Sequence, residues 1–262
     1  MERITTQRLI TKRPVCLSIG GSDSCGGAGI QADLRVFEAL GVKGCSVITA
    51  LTAQNPQRIT RIEPASLAQQ DAEIHAIFDA YDVTAVKTGM LLDAEHIAVL
   101  AAGLQHHWQA HKALVIDPVM ISSSGKRLLA ESAVDTLIKA LLPMASLITP
   151  NLDEAAVLLG YPVNDSEAAA VELAEKLGCA VLLKGGHAEV IEADTMLVDM
   201  LVSTDGQVHR FEHLRKPWGD EQRHGTGCRL AAAIAAELAL MPSLELPLAC
   251  HKAISFLQDD AL

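Results

Sequence analysis

The sequence predicts an α/β fold, a mostly parallel central sheet with helices on both faces. Three observations lead there. Half of the 262 residues are apolar and only 3% are aromatic, so Ala, Val, Ile and Leu carry the hydrophobicity, a balance that suits helices packed on a buried parallel sheet. Short apolar runs alternate with segments of helical spacing, the pattern of right-handed strand–helix–strand crossovers. The length supports one large core, and no repeat or low-complexity linker divides it. Residues 1–262 therefore read as a single domain whose first 13 residues are a polar extension.

Residues 15–20 are an apolar run ending in Gly20-Gly21-Ser22-Asp23-Ser24-Cys25-Gly26-Gly27-Ala28-Gly29. Residues 30–40 then show helical spacing at Ile30, Leu34, Phe37 and Leu40, which gives strand, glycine-rich loop and helix. The loop has neither the Gly-Lys-Ser/Thr of a Walker A motif nor a G-x-G-x-x-G, so its glycines serve either turns or an anion. Residues 45–51 are a second buried strand, with Thr52-Ala53-Gln54-Asn55-Pro56 after it. Ligands gather outside the carboxyl ends of parallel strands, which places Gln54 to read one, while Asn55 before Pro56 is also ordinary turn chemistry.

The alternation continues with a helix over 66–81, a strand over 83–87 followed by Thr88-Gly89-Met90, a helix over 94–109, and a strand over 113–116 followed by Asp117-Pro118-Val119-Met120. His107 and His111 are four apart but read as a solvated helix face rather than a metal pair. A strand over 146–149 runs into Pro150-Asn151-Leu152-Asp153-Glu154 and a helix over 155–159. Asn151 and Glu154 have the spacing of a capping box, and the same carboxylate beside strand ends suits a hydrated Mg²⁺. A helix over 167–177 leads to a strand over 180–183 and Lys184-Gly185-Gly186-His187, where Lys184 suits a phosphate as a point charge. Residues 196–203 and 207–211 alternate as an antiparallel edge hairpin around Thr204-Asp205-Gly206, and an irregular polar stretch, 213–223, follows.

The stretch that organises the chain is His224-Gly225-Thr226-Gly227-Cys228, which runs into the Ala-rich helix over 229–240. Two glycines around a small hydroxyl residue at a helix start leave free amides pointing outward, an anion site. Cys228 sits at the positive end of the helix dipole, which favours thiolate and suits a base or nucleophile; a small buried side chain is the plainer reading of the same residue. The formal charge of −11 argues against a nucleic-acid partner. Six cysteines without C-x-x-C spacing indicate neither zinc nor a disulfide framework, and no apolar run is long enough to span a membrane, so the expected location is the cytoplasm.

Two glycine-rich loops, a lysine, carboxylates and a thiol at a helix start are the parts phosphoryl transfer needs. In these blocks the sequence resembles the hydroxymethylpyrimidine and phosphomethylpyrimidine kinases of thiamine biosynthesis, members of the ribokinase-like fold, a three-layer sandwich. The resemblance spans 20–33, 46–55, Gly89-Met90-Leu91, Asp117 to Met120, 148–151, 184–187 and 224–228. It implies that Cys228 takes the proton of the substrate hydroxymethyl group and that Gly225, Thr226 and Gly227 form the anion hole. Gly21, Asp23 and Gln54 would hold the aminopyrimidine, with Met90 and Val119 on its apolar side. Lys184, Asn151, Asp117 and Thr226 would meet the phosphates of ATP, and Asp117 and Glu154 the Mg²⁺. The implied ligands are hydroxymethylpyrimidine, its phosphate and ATP, and the implied assembly a homodimer. Arg223 and Arg229 stand where the family usually has Thr, and Cys25 where Ser is more usual. An Arg at the first helical turn opposes the dipole unless a bound triphosphate meets it. The same parts also serve a pyridoxal kinase, or a pyrimidine-binding regulatory module without turnover.

Overall fold

A computed structural model describes residues 9, 11–107, 112–121, 127–185, 196–216, 219 and 224–259. Strand β1 (Val15–Asp23) leads to helix α1 (Gly29–Ala39), β2 (Lys43–Asn55), β3 (Arg58–Pro64), α2 (Leu67–Ala80), β4 (Val83–Thr88), α3 (Ala94–His107) and β5 (Ala113–Ile116). After a mixed helical stretch containing α4 (Val134–Thr136) come β6 (Leu147–Ile148), α5 (Leu152–Leu159), α6 (Ser166–Leu177), β7 (Ala180–Leu183), the hairpin β8 (Met196–Val202) and β9 (Val208–Leu214), α7 (Thr226–Leu240) and α8 (Leu246–Gln258).

The described residues form one nine-stranded sheet in the order β3-β2-β1-β4-β5-β6-β7-β8-β9. The run from β2 to β7 is parallel, and β3, β8 and β9 pair antiparallel at the two ends. Alternation along each strand sorts side chains between two apolar layers. Leu17, Ile19, Leu114, Ile116, Val181 and Leu183 face α2, α3, α5 and α6, whereas Cys16, Val115, Ala180 and Leu182 face α1, α7 and α8. Ten consecutive residues of α7, Leu230 to Ala239, are buried, six of them alanines, which lets this helix lie close against the sheet centre. Three layers result. No helix among the described residues is long and apolar enough to cross a membrane.

Several elements differ from the sequence expectation. Gly20 to Asp23 continue β1 rather than opening a loop, because β1 shifts register against β2 at Gly20/Gly21 and goes on pairing as far as Thr52. Residues 52–55 likewise extend β2, and Asn55 closes a turn by accepting from the Gln57 and Arg58 amides, so the chain folds back as β3. Helix α5 starts at Leu152, since Asn151 is its N-cap in a complete capping box with Glu154. His111 and part of the 94–109 expectation lie outside the described residues, as do Gly186, His187 and Arg223. The parallel strands share a direction, so Asp23, Gly89, Asp117, Asn151 and Lys184 all come to one edge of the sheet.

Candidate active site

At that edge lies a cleft of about 430 Å³, partly open to solvent, whose walls include Gly21, Asp23, Gln54, Met90, Val119 and Cys228. All five residues expected to hold a pyrimidine thus line one cavity together with the thiol. The two glycine-rich segments close on each other beside it. Gly225 has φ +80° as the N-cap of α7, and a Cβ there would strike the Gly27 carbonyl. A Cβ at Gly27 would come within 2.6 Å of the His224 ring.

A polar cluster adjoins the cleft. Lys184 Nζ donates to Asp117 Oδ1 at 2.8 Å, and the Thr149 hydroxyl donates to the same oxygen at 3.2 Å. Glu154 is buried, accepting from the amides of Asn151 (2.9 Å) and Met120 (3.4 Å). A Cβ at Gly227 would lie 3.1 Å from Lys184 Nζ, so the lysine's charge reaches the amides at the start of α7. The structure therefore brings Asp117, Asn151, Glu154 and Lys184 to the expected anion hole, Gly225 to Gly227.

Residues 23–261 match the phosphomethylpyrimidine kinase family. The chain belongs to that family. The hydroxymethylpyrimidine/phosphomethylpyrimidine kinase of Rhizobium meliloti is 46% identical over 229 residues, covering 86% of this chain and 82% of the relative. The enzyme of the same name from Escherichia coli is 44% identical over 232 residues, 86% and 83% of the two. A crystal structure of a phosphomethylpyrimidine kinase from Clostridium difficile superposes with a TM-score of 0.80 at 35% identity, covering 95% of this chain and all of that one. A Bacillus subtilis pyridoxal kinase in an ADP complex gives a TM-score of 0.80 at 32% identity, with 94% and 90% covered. The fold is the ribokinase-like one, and the family is one of kinases.

In this phosphomethylpyrimidine kinase family member the electrostatics of the site correct one expectation. Cys228 is not held as a thiolate: burial pushes its thiol up to about 12, and although Lys87 and Lys184 pull it down, Asp117 and Asp33 push the same way as burial. The helix dipole and the two lysines act here against two carboxylates and, above all, a dry surrounding. Asp117 stays well below the usual carboxylate range because Lys184, Lys87 and the Thr149 hydroxyl outweigh its burial. Asp23, buried as well, is drawn down to about 2 by His224, the Ala28 amide and Cys25. Glu154 moves the other way, up to about 7, by burial and the Asp117 charge against Lys184.

Glu154 yields a pH prediction. A carboxyl whose native value lies above its ordinary one stabilises the fold fully below about pH 4.5 and loses that contribution as pH rises through about 7. In metal-free buffer the unfolding free energy of Glu154→Gln relative to wild type should rise by about 3 kcal/mol across that window, the wild type losing what the amide does not. Denaturant titrations at four pH values check it, and a constant difference between the two proteins removes Glu154 from the titration.

Sequence reasoning missed Lys87, Asp33 and His224 as site residues. Lys87 ends the expected strand 83–87, yet its side chain is 1% exposed and pairs with Asp33 at 2.8 Å. Asp33 lies on α1 and also accepts from the Ser18 hydroxyl; both members of the pair line the cleft. The partners are 54 residues apart, and only the placement of α1 over β1, which pairs with β4, joins them. Arg229, read as unfavourable to the helix dipole unless a triphosphate meets it, turns its guanidinium back to the His224 carbonyl at 3.4 Å.

Proposed function

We propose that this chain transfers the terminal phosphoryl group of ATP to the hydroxymethyl group of 4-amino-5-hydroxymethyl-2-methylpyrimidine and then to the monophosphate so formed. One arrangement carries this: a cleft lined by Asp23, Gln54, Met90 and Val119 ends at Cys228, beside the anion hole and Lys184. Asp23 and Gln54 supply acceptor and donor atoms for the ring edge, while Met90 and Val119 cover its apolar face. The hydroxymethyl group then points to Cys228, and the backbone amides from Gly225 to Gly227 face the phosphoryl oxygens. Lys184 meets those oxygens as a point charge, with Asn151 and Thr226 flanking the phosphates. The pyrimidine reading is favoured over pyridoxal by the family match and by relatives that carry the pyrimidine name.

Asp117 and Glu154 fit Mg²⁺. Both are buried carboxylates about one lysine; burial first, and then the Asp117 charge, raise Glu154 to about 7, and a bound cation would offset both. When bound, Mg²⁺ neutralises phosphate oxygens. Glu154 is kept in place by its capping box and Asp117 by Thr149 and Lys184. We place the enzyme in the cytoplasm, in keeping with six free cysteines, and assign it a homodimer, to be checked by light scattering.

ADP release with ATP and Mg²⁺, run in parallel on hydroxymethylpyrimidine and pyridoxal, tests the assignment. Turnover on the pyrimidine supports it, turnover confined to pyridoxal moves the function there, and saturable pyrimidine binding without turnover makes the chain a sensor. Gln54→Ala should weaken pyrimidine binding by about tenfold, one buried hydrogen bond, and leave the KM for ATP unchanged. An equal loss of both would mean that Gln54 supports the fold and does not read the ring.

A further inference from the structure

We propose that Asp23, Cys25 and His224 form a binding site for a thiophilic divalent cation of the Zn²⁺ type at the mouth of the pyrimidine cleft, and that its occupation shuts out the pyrimidine. The three donors lie within 4.8 Å of one another. Cys25 Sγ is 3.2 and 3.3 Å from the two Asp23 oxygens, and His224 Nε2 is 3.0 Å from Asp23 Oδ2. Metal bonds of about 2.0–2.3 Å set tetrahedral ligand atoms about 3.3–3.7 Å apart, so Asp23 Oδ2 needs to part from Cys25 Sγ and His224 Nε2 by only a few tenths of an ångström, while the thiol and the ring nitrogen, within 4.8 Å of each other, draw together by about an ångström at most. Sulfur, imidazole nitrogen and one carboxylate oxygen are a donor set that favours zinc-like ions over Mg²⁺.

The surroundings are built for the purpose. Asp23 is fixed by the amides of Cys25 (3.0 Å) and Ala28 (2.8 Å), which hold a ligating carboxylate in orientation. The His224 ring is pinned against Gly27, where no Cβ would fit. Asp23 Oδ2 and Gln54 Nε2 both approach the same ring nitrogen at 3.0 Å, though that nitrogen forms one in-plane bond. A cation takes the Nε2 lone pair and binds the carboxylate beside it, and the Gln54 amide then turns away from the ring nitrogen. Cys25 is exposed, so a cation reaches the site from solvent, and its arrival releases the thiol proton. The fourth tetrahedral position is left to water.

Exclusion of the pyrimidine rests on the reading of Asp23 and Gln54 given above; binding of the cation does not. Co²⁺ titrated into the reduced, Mg²⁺-free protein should bind one to one, with a thiolate-to-cobalt absorption band that Zn²⁺ abolishes by displacement. Cys25→Ser should lose the band and weaken binding at least about tenfold, whereas Cys228→Ser should keep both. A missing band in wild type, or a band that survives Cys25→Ser, overturns the site. Kinetics then test the consequence: Zn²⁺ should raise the KM for the pyrimidine but not for ATP in wild type, and raise neither in Cys25→Ser. A cobalt band without that rise leaves the cation site standing and overturns its competition with the pyrimidine.

Discussion

Cys228→Ala should lower kcat by about a thousandfold while leaving the Kd for hydroxymethylpyrimidine within a fewfold of wild type. General base catalysis contributes roughly 10²–10⁴, and Ala removes the Cys228 thiol from the cleft wall while keeping the helix start intact. The residual rate comes from alignment and charge neutralisation, which phosphoryl transfer depends on most. The pH profile separates this role from a packing role. Since the thiol stands near 12 in the free protein, its thiolate fraction at neutral pH is small and grows about tenfold per unit. Wild-type kcat/KM should therefore climb on the alkaline side, and the Cys228→Ala profile should lose that climb. A variant that turns over at the wild-type rate, or that keeps the alkaline rise, removes the sulfur from the mechanism.

How far the site can be read in the sequence depends on whether its parts are contiguous. The tight turn and helix start are legible because Gly225, Thr226, Gly227 and Cys228 are adjacent, and a local motif dictates a local geometry. The capping box is legible for the same reason, through the three-residue spacing of Asn151 and Glu154. Strands 113–116 and 180–183 match to the residue, since short β-branched and Leu-rich runs bounded by polar residues fit little else. The hairpin β2–β3 is hidden, because Arg58 to Pro64 alternates weakly and carries three charges on an exposed edge. Helix α8 is hidden for a related reason: Pro247 obscures its start, although at that position proline is one of the first helical residues. His224 and Asp23 are 201 residues apart, and no pattern in one dimension marks them as neighbours. The thiol's protonation state is likewise out of reach, because it is decided first by burial and then by Lys87, Asp117 and Asp33, which come from separate parts of the chain.

Lys87→Met should show the second large effect, on stability and turnover together. The Lys87–Asp33 pair is buried on both sides, at 1% and 2% side-chain exposure, and removing one partner strands a carboxylate in a dry interior, which costs about 3–5 kcal/mol. Loss of activity in the single variant would thus say little. Lys87→Met with Asp33→Asn removes both charges and keeps the volume, and such replacements are commonly close to neutral for the fold. The double variant should melt near wild type yet turn over about a hundredfold more slowly, the cost of removing one preorganised charge from an active site. The reason is positional: Lys87 lies in the cleft wall, its charge lowers the Cys228 thiol and helps hold Asp117 ionised, and the pair is fixed by the Ser18 hydroxyl. Lys87 lowers the thiol more than Asp33 raises it, so without the pair the thiolate becomes scarcer, and alkylation of Cys228 by iodoacetamide at fixed pH should slow in the double variant. If the double variant regains wild-type turnover and alkylation rate, the buried pair serves the fold alone and Lys87 has no part in the reaction.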